Sequence, residues 1–202
     1  MPADLRLHDA ARAGDVPAIG RLLADGLAID AQDSDGRTPV MAATLARRTD
    51  AVRALVDAGA DVDIRDNRLD NVFLYAGAEG LLDILRIAND AGADPALTNR
   101  FGGIAVIPAS ERGHVEVVRY LLEESDVDVD HVNRLGWTAL LEAIILSDGG
   151  PAHREIVRML LEAGADPDLA DGDGVTPLAH ARSRGFDEIV ALLEAADATG
   201  SG

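Results

Sequence analysis

Asp35-Gly36-Arg37-Thr38-Pro39 comes back twice along the chain, as Leu135-Gly136-Trp137-Thr138-Ala139 and as Asp173-Gly174-Val175-Thr176-Pro177. Gly102 holds the equivalent place between them and Leu69 fills the remaining slot. The marker therefore steps through 36, 69, 102, 136 and 174 at intervals of 33, 33, 34 and 38 residues. A second marker runs in phase: Ala58-Gly59-Ala60-Asp61, Ala91-Gly92-Ala93-Asp94 and Ala163-Gly164-Ala165-Asp166. A third is the glycine at Gly14, Gly80, Gly113 and Gly185. Self-similarity at one such period is the signature of a repeat architecture.

The residues within a unit say what the repeated piece is. Thr38 or Thr176 can cap a helix, and the proline behind it suits the first helical position, where its missing N–H is no loss. The mid-unit glycine ends that helix in a left-handed conformation. A second helix then carries the apolar pairs Leu22-Leu23, Leu55-Val56, Leu121-Leu122, Leu160-Leu161 and Leu192-Leu193. The connector Asp30-Ala31-Gln32-Asp33-Ser34-Asp35-Gly36 is turn chemistry. One helix pair of this size cannot bury its own apolar face, so stacked neighbours share a continuous core.

In its spacing, Thr-Pro opening, mid-unit glycine and Gly-Ala-Asp exit, the chain over residues 4–196 resembles the ankyrin repeat. The resemblance implies an all-α ankyrin-repeat solenoid of about six helix pairs, terminal caps included, forming a single domain. The expected divisions are an N-terminal cap over 1–32, internal repeats over 33–65, 66–98, 99–132 and 133–170, a C-terminal cap over 171–196 and a frayed tail over 197–202. It further implies a non-catalytic, stand-alone module that binds a protein partner on its concave face.

Composition narrows the classes of function. Apolar residues make up 48% of the 202 and aromatics 3%, so the core is built from Ala, Leu, Ile and Val. The net charge of −18 repels phosphate backbones, which argues against nucleic acid and anionic membranes, and it favours fast capture of a basic protein partner. The absence of cysteine excludes a disulfide framework, a thiolate zinc site and a cysteine nucleophile. No apolar run approaches the roughly 18–20 residues that span a bilayer. The N-terminal Met-Pro-Ala-Asp-Leu-Arg carries no export signal, so the expected location is cytoplasmic. All 18 basic residues are arginine, a bias expected of a GC-rich bacterial genome.

Departures from the repeat are the natural carriers of function. Along the first helices and the turns before them, repeats two to four align Asp70, Tyr75, Glu79, Arg100, Glu111, Arg134, Trp137 and Glu142 on one expected side. Phe73, Tyr75, Phe101 and Trp137, four of the six aromatics, fall in these segments. Tyr and Trp combined with Arg is the composition of interface hot spots. On this reading Trp137 and Tyr75 anchor the partner, Arg100 and Arg134 orient it, and the carboxylates supply acidic contacts. The plain alternative puts Phe73 in the core, lays Phe101 over a turn and leaves the charges solvated.

Repeat two departs furthest, with Leu69 for the turn glycine, Asn71 for the capping threonine and Asn89 within an apolar pair. A buried Asn89 would need partners or cost about 1–3 kcal/mol. Repeat four carries an insertion: Gly136 to Gly164 spans 28 residues against 23 from Gly36 to Gly59. The extra residues centre on Ser147-Asp148-Gly149-Gly150-Pro151-Ala152-His153, between the helices. Repeat three has one extra residue in Ser125-Asp126-Val127-Asp128-Val129-Asp130, an expected extended connector.

Other chemistry finds little footing. Asp171-Gly172-Asp173-Gly174 lacks the later ligands of a calcium loop, and His8, His114, His131, His153 and His180 form no zinc spacing. No cofactor or metal is therefore expected. No nucleophile elbow, Walker loop or dinucleotide fingerprint occurs. Were the chain an enzyme, Glu79, Glu111 and Glu142 would be its general acid and base groups. A small-molecule site at the same surface stays open, as a closed pocket holding Glu142 with Trp137 or Tyr75 at its wall.

Overall fold

The structure, a computed structural model, describes residues 4–200, with side chains through 197. Residues 1–3, the start of the stretch read for an export signal, and 201–202, the end of the expected tail, lie outside the described residues. Among the described residues there are twelve helices and no strand. They are α1 (Arg6–Ala13), α2 (Val16–Ala24), α3 (Pro39–Leu45), α4 (Thr49–Asp57), α5 (Val72–Ala78) and α6 (Leu82–Asp90). The rest are α7 (Val106–Glu111), α8 (Val115–Glu124), α9 (Ala139–Ile145), α10 (Pro151–Glu162), α11 (Pro177–Arg184) and α12 (Asp187–Gly200).

The caps form as the sequence dictates. The hydroxyls of Thr38, Thr138 and Thr176 accept from the N–H groups of Met41, Leu141 and Ala179 at 3.3, 3.2 and 3.3 Å. Asn71 does the same for Leu74 at 2.8 Å, so its substitution for threonine preserves the cap. Repeat three has Ile104 at that place and no side chain to accept. There Ile107 N–H closes the first turn on Ile104 O at 3.1 Å, and α7 is only six residues long.

Backbone conformation follows the repeat even where glycine is missing. Leu69 sits at φ 63° in the turn-glycine slot, and Arg47 at φ 56° where other repeats have the mid-unit glycine. They are the non-glycine residues with left-handed backbone among those described. Such a residue costs about 1–2 kcal/mol, which the stacked neighbours must offset.

Contacts divide the molecule into two compact units, one holding the chain up to Ala76 and Leu81–Arg100, the other Gly77–Gly80 and the chain from Phe101 onward. In the first, α1 lies on α3, α2 on α4 and α4 on α6. In the second, α7, α9 and α11 stack in order beside α8, α10 and α12. Val40, Met41, Leu55 and Phe73 are buried in the first unit, and Ile104, Leu121, Leu140, Leu141, Ile156 and Leu160 in the second. Each large apolar side chain so buried contributes about 1.5–3 kcal/mol. Polar groups clip repeat to repeat: Asp30, Asp63 and Asp130 accept the N–H of Asp61, Asp94 and Asp166 at 3.0, 3.1 and 2.9 Å.

Three local features differ from expectation. Pro151–His153 belong to α10, which reaches 12 residues against nine for α4 and α6, so the insertion in repeat four lengthens a helix as well as a loop. Proline at the first helical position and Gly150 as cap let the helix begin early. The last helix continues to Gly200, past residue 196 where the cap was expected to end. Asn89 is half-buried, like its equivalents Val56, Leu122 and Leu161, so the desolvation cost of a buried amide does not arise.

Candidate functional site

The tip of each turn is one position of the repeat, occupied by Asp35, Arg68, Phe101, Leu135 and Asp173 in succession. Three of the five are charged. In the second unit, Phe101 is 51% exposed and Leu135 55% exposed. Their turns touch, because Arg134 N–H donates to Phe101 O at 2.9 Å. The conformation that raises Leu135 is locked from below by Asn133, whose Oδ1 accepts from Leu135 N–H at 2.9 Å and Trp137 N–H at 3.1 Å. Asp33, Asp66 and Asp171 lock their own turns through equivalent bonds.

Asn133 also reaches the helix that follows. Its Nδ2 donates to Glu142 Oε1 at 2.7 Å. Glu142, on α9, is only 6% exposed, and its Oε2 has no hydrogen-bond partner among the described residues. Burial raises the carboxyl of Glu142 to about 7, helped by the charge of Glu111 on neighbouring α7 and opposed by the Asn133 hydrogen bond. The turn residue and the helix residue nine places on are thus a matched pair. In the last repeat the pair is Asp171 and His180, at 2.7 Å. An aspartate at 133 would set two carboxylates against each other, and asparagine supplies the donor instead.

Glu79 belongs to a different contact. Arg112, at the end of α7, donates to Glu79 Oε1 at 2.6 Å and to Ala78 O at 2.7 Å. Of the three expected carboxylates, Glu79 is held by Arg112, and the charge of Glu111 acts on Glu142. Trp137 is half-buried directly before the cap of α9, and Arg134 is exposed on the turn. In the first unit, Tyr75 and Asp70 are half-buried, Arg100 is exposed and Phe73 is core at 1% exposure. Leu135 and Asn133 were not singled out from sequence, and Arg112 was placed on the expected face without its pairing to Glu79. The signal was present as apolar for charged at the tip, Asn for Asp in the turn, and Arg112 set 33 residues after Glu79.

The histidines are structural. Nε2 of His8, His114, His131 and His153 lies 2.9, 3.2, 2.7 and 2.9 Å from the carbonyls of Arg37, Ala78, Gly102 and Glu111. A carbonyl only accepts, so each ring donates from Nε2; His8, His114 and His153 tie adjacent repeats together, and His131 ties back to the opening turn of its own repeat. A cleft of about 480 Å³ opens between the repeat-four loop and the last helix pair. Asp148, Gly149, Arg184, Phe186 and Glu188 line it, not Glu142 or Trp137.

The profile described as "Ankyrin repeats (3 copies)" matches residues 6–66 and 73–171. The chain belongs to the ankyrin-repeat family. It is 44% identical to the Escherichia coli K12 ankyrin repeat protein YahD over 198 residues, 98% of each chain. An ankyrin repeat domain from Acinetobacter baumannii matches at 53% identity and a TM-score of 0.93, covering 96% of this chain and 98% of that one. The ankyrin repeat domain of Bcl-3 matches at 27% identity and 0.86, over 97% and 87%. Against the full human B-cell lymphoma 3 protein the chain spans 34% of the length, at 32% identity over 74% of its own. The molecule is thus an ankyrin-repeat scaffold, of a class that serves generally in protein interaction. No helix of the described residues is long and apolar enough to cross a membrane.

Proposed function

We propose that this ankyrin-repeat scaffold binds a protein partner through the turns and first helices of repeats three and four. The observation that carries the reading is the pair of exposed apolar tips, Phe101 and Leu135, on hydrogen-bonded neighbouring turns. A contiguous apolar surface rimmed by charge marks an interaction site, and a rigid array loses little conformational entropy when it binds. Trp137 anchors the partner from the same turn and Arg134 orients it. Glu79, Glu111 and Glu142 provide the acidic contacts, and the net charge of −18 favours a basic partner. On the first unit, Asp70, Tyr75 and Arg100 are proposed as separate contacts. A bacterial setting is supported by the Escherichia coli and Acinetobacter baumannii relatives, and a cytoplasmic location is proposed with it.

The test is affinity capture from native lysate with wild type and with the double variant Phe101→Ser/Leu135→Ser. Protein and small-molecule mass spectrometry are applied to both eluates. Both residues are exposed, so the variant keeps its fold. The reading expects a captured protein that disappears with the double variant. Protein capture unchanged by the two substitutions would refute it, and a retained metabolite in place of a protein would favour the small-molecule alternative.

A further inference from the structure

The turn position two residues before each tip reads Asp33, Asp66, Asn99, Asn133 and Asp171 in succession. The carboxylate is missing in the two repeats whose tips are Phe101 and Leu135. The same holds for the whole turn. Residues 32–37 include Asp33 and Asp35, 65–70 include Asp66 and Asp70, and 170–175 include Asp171 and Asp173. Residues 98–103 and 132–137 include no carboxylate, and their charged members are Arg100 and Arg134. In a chain with 36 acidic residues against 18 arginines, that reverses the average. The turn itself is indifferent to the exchange, because Asn133 Oδ1 accepts two turn N–H groups just as Asp171 Oδ1 does. Repulsion by the following helix accounts for one case alone. Asn133 meets Glu142, whereas the residue nine places after Asn99 is the uncharged Pro108. In the second unit the resulting surface is apolar and positive. Phe101, Val132 and Leu135 are 51%, 47% and 55% exposed, and Arg134 is exposed with them. A Cβ on Gly102 would lie 2.8 Å from Arg134 Cγ, so the arginine stem lies across the turn that carries Phe101.

We infer that the partner segment seated on these tips is an apolar stretch bearing carboxylates. One carboxylate pairs with Arg134, and the apolar side chains cover Phe101, Val132 and Leu135. The inference rests on the protein-binding reading above and adds to it the chemistry of the contact. Charge acts here over two ranges. The −18 of the whole chain governs approach and is screened beyond about 8 Å at physiological salt, while the groups at the contact decide what sits there. A basic segment would meet Arg134 and find none of the aspartates that the other turns offer. An acidic segment meets no like charge in residues 98–103 or 132–137. Arginine takes a carboxylate through two parallel N–H···O bonds, and the exposed apolar side chains are covered only by a segment that is itself apolar. The acidic contacts proposed at Glu79, Glu111 and Glu142 lie outside these turns and serve other parts of the partner.

The probe is a phage-displayed library of random dodecapeptides, selected at physiological salt on wild type, on Arg134→Glu and on Phe101→Ser/Leu135→Ser. Enriched peptides are read by sequencing, and the leading one is titrated by fluorescence anisotropy. Wild type is expected to enrich peptides richer in Asp and Glu than in Arg and Lys, with Leu, Ile or Phe beside the acids. The leading peptide is expected to bind Arg134→Glu about fivefold more weakly, as befits an exposed ion pair replaced by like charges. A wild-type set richer in Arg and Lys than in acidic residues overturns the inference. So does an acidic set that binds Arg134→Glu as well as wild type, and so does a selection that enriches nothing. Basic peptides that are lost on Phe101→Ser/Leu135→Ser overturn it while leaving the broader reading in place. Peptides of either kind that bind the double variant as well as wild type overturn both.

Discussion

Replacing Glu142 by glutamine isolates the energetic consequence of burying this carboxyl. Glutamine keeps the shape and an acceptor for Asn133 Nδ2 but has no proton to exchange. Below the ordinary value of 4.5 the carboxyl is protonated in the folded and unfolded chains alike, and burial carries no ionic penalty. As pH rises from 4.5 toward about 7, the unfolded chain releases the proton and the folded chain retains it. Stability therefore falls across this window and the loss is complete above it. At 1.36 kcal/mol for each tenfold change in proton affinity the full effect is about 3 kcal/mol, and solvent screening brings it to about 1–2 kcal/mol. Glu142→Gln should match wild type closely at pH 5 and exceed it by about 1–2 kcal/mol at pH 8, or about 3–6 °C in Tm for a chain of this size. Circular dichroism melts and urea titrations of both proteins from pH 5 to 9 measure the gap. A stability difference that stays constant across the range would refute the reasoning, because only a proton-linked term can grow with pH.

Four further predictions come from the backbone and the turn pairs. Gly149→Ala should destabilise by about 2–3 kcal/mol, since φ is 69° and the new Cβ would lie 2.6 Å from the Phe186 ring. Gly20→Ala, on α2 with open space around it, should stabilise by about 0.5–1 kcal/mol, and equal effects in a chemical melt would contradict the account. Arg47→Gly relieves a left-handed residue at φ 56° and should raise stability by about 0.5–1 kcal/mol; a lower Tm would count against it. Asn133→Asp should destabilise above pH 7 by facing Glu142 with a second carboxylate. Adding Glu142→His, which copies the Asp171–His180 pair, should recover most of the loss in a double-mutant cycle.

The period was legible because its markers are backbone requirements, which leave the same few residue types at the same spacing. Glycine in a left-handed turn and threonine at a cap are local needs, readable without knowing the neighbours. Leu69 and Arg47 show the limit, for there the stacked array imposes a conformation that the residue itself disfavours. The pairing of Asn133 with Glu142 depends on two residues nine apart meeting across a turn, which periodicity does not encode. The acidic excess was legible as a number but not as a use. Asp30, Asp63 and Asp130 spend carboxylate oxygens on backbone N–H groups of the next repeat, so part of the −18 holds the array together. Phe101 and Leu135 become conspicuous only when the turn tips are read as a column, since exposure at a tip follows from the fold and not from hydrophobicity.

Hydrogen exchange by mass spectrometry on this protein, free and in complex with the captured partner, tests the central claim most directly. The account predicts slowed exchange in the peptides carrying Phe101 and Asn133–Trp137 when the partner is bound. Protection confined to α1–α4, with the tips at Phe101 and Leu135 exchanging as in the free protein, would contradict it.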